Sequence, residues 1–150
     1  DIINKITNKT KIPSTTTSTA ALEAFQKLNI RKISFISPYS GGINDKAKKF
    51  FEDNGIGIAS MYGMNLPDLE VGLEFPYTSY NIAKKINNND SDAVFISCTD
   101  LRTFEIIKFL EKEINKPVLT SNQVSLWHAL RLSGLNDEIT DLGRLLLEVK

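Results

Sequence analysis

The feature of this sequence that most constrains its fold is the alternation of short apolar runs with segments of helical period. Runs rich in β-branched and aromatic residues, each of strand length, occur at Lys32–Ser37, 57–62 and 92–97, and a shorter one follows at 117–120. Strands that alternate with helices in this way form βαβ units around a parallel sheet. We therefore predict an α/β fold, with a four-stranded, flavodoxin-like parallel sheet and helices on both faces.

The helical segments are recognised by their apolar spacing and their end signals. The first is expected to be capped within residues 17–19, before the first strand. The second is expected to open near Asn44 and to end at Asn54-Gly55, a pair that suits a left-handed C-cap. A further helix is expected over 103–114, after the third strand. The stretch 64–76 is broken by prolines and a glycine, so it is predicted to be a loop.

The chain divides into three segments. Residues 17–134 hold the alternating elements and are expected to form one α/β unit. Residues 1–16 are interpreted as a linker, and the opening residue Asp1, in place of a methionine, suggests that something upstream was removed. Residues 135–150 are expected to form a C-terminal amphipathic helix. Its apolar stripe consists of Ile139, Leu142, Leu146 and Val149.

The amino-acid composition limits the classes of molecule that the chain is expected to bind. The 18 Lys and Arg balance 18 Asp and Glu, so no net field attracts nucleic acid, and none is expected as a partner. The single cysteine allows neither an internal disulfide nor a thiolate metal cluster, which is typical of a reducing compartment. The sequence has no apolar stretch of about 18 residues and no signal-peptide pattern. We expect a cytoplasmic protein with no membrane association and no bound metal.

The carboxyl ends of the predicted strands are rich in hydroxyl and amide groups. In an open parallel sheet, ligands bind outside this edge. Neutral donors suit small carboxylates, and the glycine-rich loops that cradle nucleotide phosphates do not occur here. The sequence therefore predicts a site for a small organic acid. The segments concerned are 38–42, 61–65, 97–100 and 120–123.

Cys98 is the first candidate for a reactive group at this edge. It directly follows the third predicted strand and precedes the helix expected over 103–114. The N–H groups at the start of that helix would favour a thiolate, which is a nucleophile or a base. Free cysteine is also among the most buried residue types, and it usually acts as a small hydrophobic side chain. Position alone leaves both interpretations open.

Four segments contribute to a further pattern, and they occur in a fixed order along the chain. They are 15–20, then 36–39 with Asn44 following, then 95–103, and finally 116–123 with Trp127 and His128. Together they resemble the aspartate/glutamate racemase superfamily, in particular the branch of maleate cis-trans isomerases and arylmalonate decarboxylases. The resemblance covers residues 12–134.

The resemblance implies both an architecture and a chemistry. Members of the superfamily have two similar α/β halves, with the small acid held in the cleft between them. This chain would be the second half, and residues 1–16 would be the linker from a missing first half. Cys98 would be the second-half cysteine of a cofactor-independent enzyme. The reaction implied is racemisation, isomerisation or decarboxylation of a maleate-like acid, a substituted malonate or an amino acid.

The remaining site residues also follow from the resemblance and from the strand ends. The expected partner is a small carboxylate, together with either a second copy of the chain or the first half. The alternative is a non-catalytic module that binds a small carboxylate or has a regulatory role. The side chains expected to orient the substrate are Tyr39, Asn44, Thr99 and Ser121, followed by Asn65, Thr17 and Asn122.

Overall fold

The structure is a computed structural model that describes residues 2–148. Within this range four strands form one parallel sheet in the order β2-β1-β3-β4. This confirms the predicted four-stranded, flavodoxin-like parallel sheet. Asp1 and Val149, which figured in the sequence predictions, lie outside the described residues. The strands are β1 (Lys32–Ser37), β2 (Gly57–Gly63), β3 (Ala93–Ile96) and β4 (Val118–Thr120).

Seven α-helices and one 3-10 helix accompany the sheet within residues 2–148. None of these helices is long and apolar enough to cross a membrane, over the residues that the structure describes. The 3-10 helix covers Asp68–Leu73. The α-helices are α1 (Ile2–Thr10), α2 (Thr17–Lys27), α3 (Gly41–Asp53), α4 (Pro76–Ile86), α5 (Ile107–Ile114), α6 (Ser121–Leu132) and α7 (Arg144–Glu148).

The sheet separates two apolar layers, because successive side chains of a strand point to opposite faces. Phe35 and Phe95 face the layer shared with α2, α3, α6 and α7. Ile36 and Ile96 face the layer shared with α4 and α5. Aromatic rings fill the first layer, where Phe25 of α2 meets Phe95 edge to face with 5.3 Å between the ring centroids. Helices therefore cover both faces, as predicted.

The structure adds detail at both ends of the chain. Residues 2–10, within the segment interpreted as a linker, form α1, and none of the nine residues of α1 is buried. The helix expected over 135–150 is wrong for most of its length, since α7 begins only at Arg144. Gly143, with a φ of +77°, interrupts the chain immediately before α7. Ile139 and Leu142 of the expected stripe pack on the first layer from the irregular segment before α7, whereas Leu146 packs there from α7 itself.

Three of the predicted helix starts are also corrected. The cap of α2 is Thr16, whose Oγ1 accepts a hydrogen bond from the Thr19 N–H at 3.2 Å. Helix α3 begins at Gly41, so Asn44 lies inside it and is not its cap. Helix α5 begins at Ile107 and not at residue 103, because the preceding residues form turns. The predicted end of α3 is confirmed, since Gly55 follows it with a φ of +80°.

Residues 64–76, predicted to be a loop, include the short 3-10 helix. Pro67 stands at its N-cap position with an extended backbone. A proline is tolerated where a helix begins, because the first N–H groups of a helix have no intrahelical acceptor. The proline therefore starts a helical turn here rather than only interrupting one.

Glu111 provides a test of how the C-terminal segment is attached. This buried carboxylate accepts hydrogen bonds from the N–H groups of Val118 in β4 and Arg144 in α7, both at 2.9 Å. We expect Glu111→Ala to lower the free energy of unfolding by about 3 kcal/mol, because two N–H groups lose their acceptor. Urea unfolding measures the change.

The matched control is Glu23→Ala, which removes an exposed carboxylate from α2. It is expected to change the free energy of unfolding by less than about 0.5 kcal/mol. Equal effects of the two substitutions would contradict the structural role given to Glu111.

Candidate active site

The carboxyl ends of β1, β3 and β4 bring three predicted site residues together. Tyr39 lies just beyond β1, Cys98 just beyond β3, and Ser121 directly follows β4. The Cys98 N–H donates a hydrogen bond to Ser121 Oγ at 3.0 Å. The Tyr39 phenol lies beside the Cys98 side chain. Cys98 therefore lies between groups that follow both neighbouring strands.

The backbone of Cys98 has an unusual conformation. Its φ is +123°, in a region that favours glycine. Holding another residue there costs about 1–3 kcal/mol, and such strain persists only where the surroundings enforce it. The side chain is half-buried against the α4 and α5 layer. It is thus neither deep within the apolar core nor fully exposed.

The sequence predicted that the N–H groups of a helix beginning at residue 103 would favour a thiolate at Cys98. The structure corrects this prediction. Helix α5 begins at Ile107, beyond the irregular segment 99–106. The first N–H groups of α5 therefore do not directly follow the cysteine. The neighbour of the sulfur is instead Tyr39, which the sequence placed just beyond β1.

Tyr39 keeps its proton at neutral pH. Burial raises the pKa of the phenol well above its ordinary value. The neighbouring Cys98 side chain and the carboxylates of Asp100 and Asp68 raise this pKa further. A phenol that stays protonated is a donor to an anionic partner, whether that partner is a thiolate or a carboxylate.

Ser121 and Thr17 are linked to each other by hydrogen bonds of Ser125. Ser121 is buried, and its Oγ is the acceptor for the Cys98 N–H. Ser125, one turn further along α6, places its Oγ 2.8 Å from the Ser121 carbonyl oxygen and 3.0 Å from Thr17 Oγ1. Thr17 is therefore linked to Cys98 through Ser125 and Ser121. Ser125 was missed in the sequence, although it stands at helical spacing from Ser121.

Thr99 and Asn122 shape the loop that follows Cys98. The Asn122 Nδ2 donates hydrogen bonds to the carbonyl oxygens of Thr99, at 3.0 Å, and Leu101, at 3.1 Å. Both residues line a cavity of about 290 Å³ together with residues 100–105. Arg102 lies in this loop, and its guanidinium contacts Glu105 at 2.9 Å. The exposed end of Thr99 and the cavity beside it are accessible to a small ligand.

Asn44 and Asn65 have different surroundings. Asn44 is buried, its Oδ1 accepts a hydrogen bond from Ser37 Oγ, and its Nδ2 donates to the Tyr39 carbonyl at 2.9 Å. Asn65 is exposed beyond β2, with a φ of +54°, and its Nδ2 donates a hydrogen bond to the Gly63 carbonyl oxygen at 3.4 Å. The amide of Asn44 is thus buried within the protein, whereas that of Asn65 lies at the surface. Ser37 and Gly63, which adjoin Asn44, were not singled out in the sequence.

The site is built from neutral donors together with nearby carboxylates. Among residues 2–148, no cluster of three or more His, Cys, Asp and Glu side chains is arranged to hold a metal ion. The groups that meet at Cys98 are the Tyr39 phenol, beside its side chain, and the Ser121 hydroxyl, at its amide. Such groups stabilise negative charge that develops on a bound acid.

Comparison with known proteins gives three named relatives. Maleate isomerase of Alcaligenes faecalis is 27% identical over 145 residues, which are 95% of this chain and 57% of that protein. Arylmalonate decarboxylase of Bordetella bronchiseptica is 26% identical over 133 residues, which are 83% of this chain and 53% of that protein. The chain therefore spans about half the length of the curated relatives it matches.

The third relative is a solved structure, which shows the same fold. It is a variant of the maleate cis-trans isomerase of Nocardia farcinica with a covalently bound succinylcysteine intermediate. It superimposes with a TM-score of 0.85 and 20% identity over 89% of this chain and 56% of that chain. The family model for arylmalonate decarboxylase matches residues 1–146. The chain therefore belongs to the arylmalonate decarboxylase family, within the superfamily that its strand ends resemble.

Proposed function

We propose that the chain carries the cysteine-bearing half of a cofactor-independent enzyme that isomerises, racemises or decarboxylates a small carboxylic acid through Cys98. The observation that carries this proposal is the position of Cys98 beyond the carboxyl end of β3, with the Tyr39 phenol beside its sulfur and the Ser121 hydroxyl at its amide. The named relatives, maleate isomerases and an arylmalonate decarboxylase, support the class of substrate.

Each of these reactions assigns the sulfur a definite task. With a maleate-like acid, the thiolate adds to one alkene carbon, and the π electrons move to the other carbon and its carboxylate. Rotation about the new single bond and loss of the thiolate then restore the double bond. With a substituted malonate, carbon dioxide leaves and its bonding electrons form an enediolate, to which the Cys98 thiol gives its proton. With an α-amino acid, a thiolate removes the α-proton, the C–H bonding electrons form an enediolate, and a donor on the opposite face returns a proton to that carbon.

In all three reactions negative charge accumulates next to a carboxylate. We infer that Tyr39 donates first to the thiolate and then, when the acid is bound, to one of its oxygens. Neutral donors stabilise the charge that develops without holding the ground-state anion equally tightly. The protonated phenol and its place beside the sulfur support this role.

The other predicted site residues divide into two groups. Thr99 and Asn65 are exposed at strand ends, and we propose that they contact the substrate. Ser121, Asn122, Thr17 and Asn44 hydrogen-bond to other protein groups. We propose that these four act on the substrate through the residues that they hold.

The reacting acid also needs a second wall above the sheet edge. We propose that another α/β unit supplies it, either the additional region of the longer relatives or a second copy of the chain. Cys98 is half-buried, so one side of it remains accessible. Covering that side would exclude water from the charged intermediate and strengthen every hydrogen bond to it.

Alkylation tests whether this thiol meets a small acid. Cys98 is the only cysteine of the chain, so iodoacetamide labelling followed by mass spectrometry reports on it alone. We expect fast labelling at neutral pH, and we expect saturating maleate or malonate to slow it at least about tenfold, because bound ligand blocks the sulfur.

Sodium chloride at equal ionic strength serves as the control for screening. Slow labelling that neither dicarboxylate changes would contradict the proposed enzyme and favour a module without turnover.

The strained backbone of Cys98 gives a second test, in which two substitutions are compared. Both Cys98→Ala and Cys98→Gly remove the sulfur, so both are expected to abolish turnover. Only glycine also relieves the strain at φ +123°. Strain relief of about 1–3 kcal/mol exceeds the entropy cost of glycine, about 0.5–1 kcal/mol.

The free energy of unfolding of Cys98→Gly is therefore expected to be about 1 kcal/mol higher than that of Cys98→Ala. Urea denaturation of the two variants measures this difference. A glycine variant no more stable than the alanine variant would show that the backbone is not strained.

A further inference from the structure

A buried hydrogen-bond network holds the turn between β1 and α3. Ser37 Oγ donates to Asn44 Oδ1 and accepts a hydrogen bond from the Tyr39 N–H at 3.2 Å. Asn44 Nδ2 donates to the Tyr39 carbonyl oxygen at 2.9 Å. Ser37 is 0% exposed and Asn44 is 5% exposed. Both backbone polar groups of Tyr39 are thus fixed by side chains that water barely reaches.

Gly63, at the end of β2, leaves the space that this network occupies. It pairs with Ser37 across the two strands. A Cβ atom at this position would lie 2.6 Å from the Tyr39 carbonyl oxygen and would also collide with Asn44 Nδ2. Any other residue here would therefore push the amide or the turn aside. The turn is thus held by α3 on one side and by β2 on the other.

The network ends at the residue whose phenol lies beside the thiol. Ser37 and Asn44 fix the backbone of Tyr39, and the side chain of Tyr39 lies next to Cys98. Because the amide of Asn44 is buried and used at both ends, a bound acid has little access to it. Its contacts fit a role that is exerted on Tyr39 rather than on a substrate.

We propose that Asn44, together with Ser37 and the space left by Gly63, is a positioning residue that keeps the Tyr39 phenol beside the Cys98 sulfur. This inference rests on the proposed function, because the contact it controls is the one through which Cys98 would react. Asp100 and Asp68 also face the phenol. Neither carboxylate belongs to the network, so substitutions in the network leave both in place.

The test is a double-mutant cycle on the alkylation rate of Cys98, which requires no turnover. Tyr39→Phe removes the phenol that stabilises the attacking thiolate, so the rate constant is expected to fall about threefold or more. Asn44→Ala is expected to lower it by a similar factor. The double variant is expected to be no slower than Tyr39→Phe alone, because the amide acts through the phenol.

Asn54→Ala is the matched control. Asn54 lies at the other end of α3, and its Nδ2 donates to the Phe50 carbonyl at 2.8 Å. This substitution also removes an asparagine that bonds to the backbone, but far from the thiol. It is expected to leave the alkylation rate at the wild-type value, even where it lowers the melting temperature.

Gly63→Ala disturbs the same turn from the β2 side and is measured in the same cycle, in case Asn44→Ala does not fold. A wild-type alkylation rate in the folded network variants would overturn the proposal. So would a double variant slowed by the product of the two single effects, or an unchanged rate in Tyr39→Phe.

Failure of the proposed function would look different. If neither dicarboxylate protects the thiol and no turnover is found, the function fails, while the coupling between Asn44 and Tyr39 still supports the positioning role. If protection is seen but Asn44→Ala reacts like the wild type, the function stands and the positioning role fails.

Discussion

Parallel pairing of β1 with β3 is the constraint on which the site depends. Ile36 pairs with Ile96, and the Ser97 N–H extends the ladder to the Ile36 carbonyl at 2.7 Å. Both strands therefore end at the same height, and the turns that follow them place a phenol next to a thiol. Neither turn could make this contact without the other. The closeness of Tyr39 and Cys98 is thus a product of strand register as much as of the residues themselves.

The two apolar layers make the strained cysteine possible. A backbone cost of about 1–3 kcal/mol is a sizeable share of the stability of a domain, which is about 5–15 kcal/mol. Buried rings such as Phe35 and Phe95 on one face, and Ile96 on the other, hold β3 in place up to the residue before the turn. The Ser121 hydroxyl then fixes the Cys98 N–H. A rigid sheet therefore enforces a geometry that the isolated turn would avoid.

The sequence contained enough information to predict the sheet and to propose Tyr39 and Cys98 as the central pair of the candidate site. Runs of β-branched and aromatic residues located the strands, and the rule that ligands bind at strand ends selected Tyr39 and Cys98. The role of Asn44 was not visible, because its partners come from β1 and lie against β2. The late start of α5 was also hidden, since Asn122, far along the chain, holds the preceding carbonyl groups. Local patterns report periodicity, whereas these features depend on which elements become neighbours.

The carboxylate of Glu111 connects the carboxyl-terminal segment to the thiol through few steps. It bonds to α7 at Arg144 and to β4 at Val118, and β4 leads directly to Ser121. Leu145 and Leu146 anchor α7 in the first apolar layer. If α7 came loose, β4 and the Ser121 hydroxyl, which accepts a hydrogen bond from the Cys98 N–H, would be held less firmly. The position of the proposed reactive sulfur therefore depends on whether α7 is docked against the sheet.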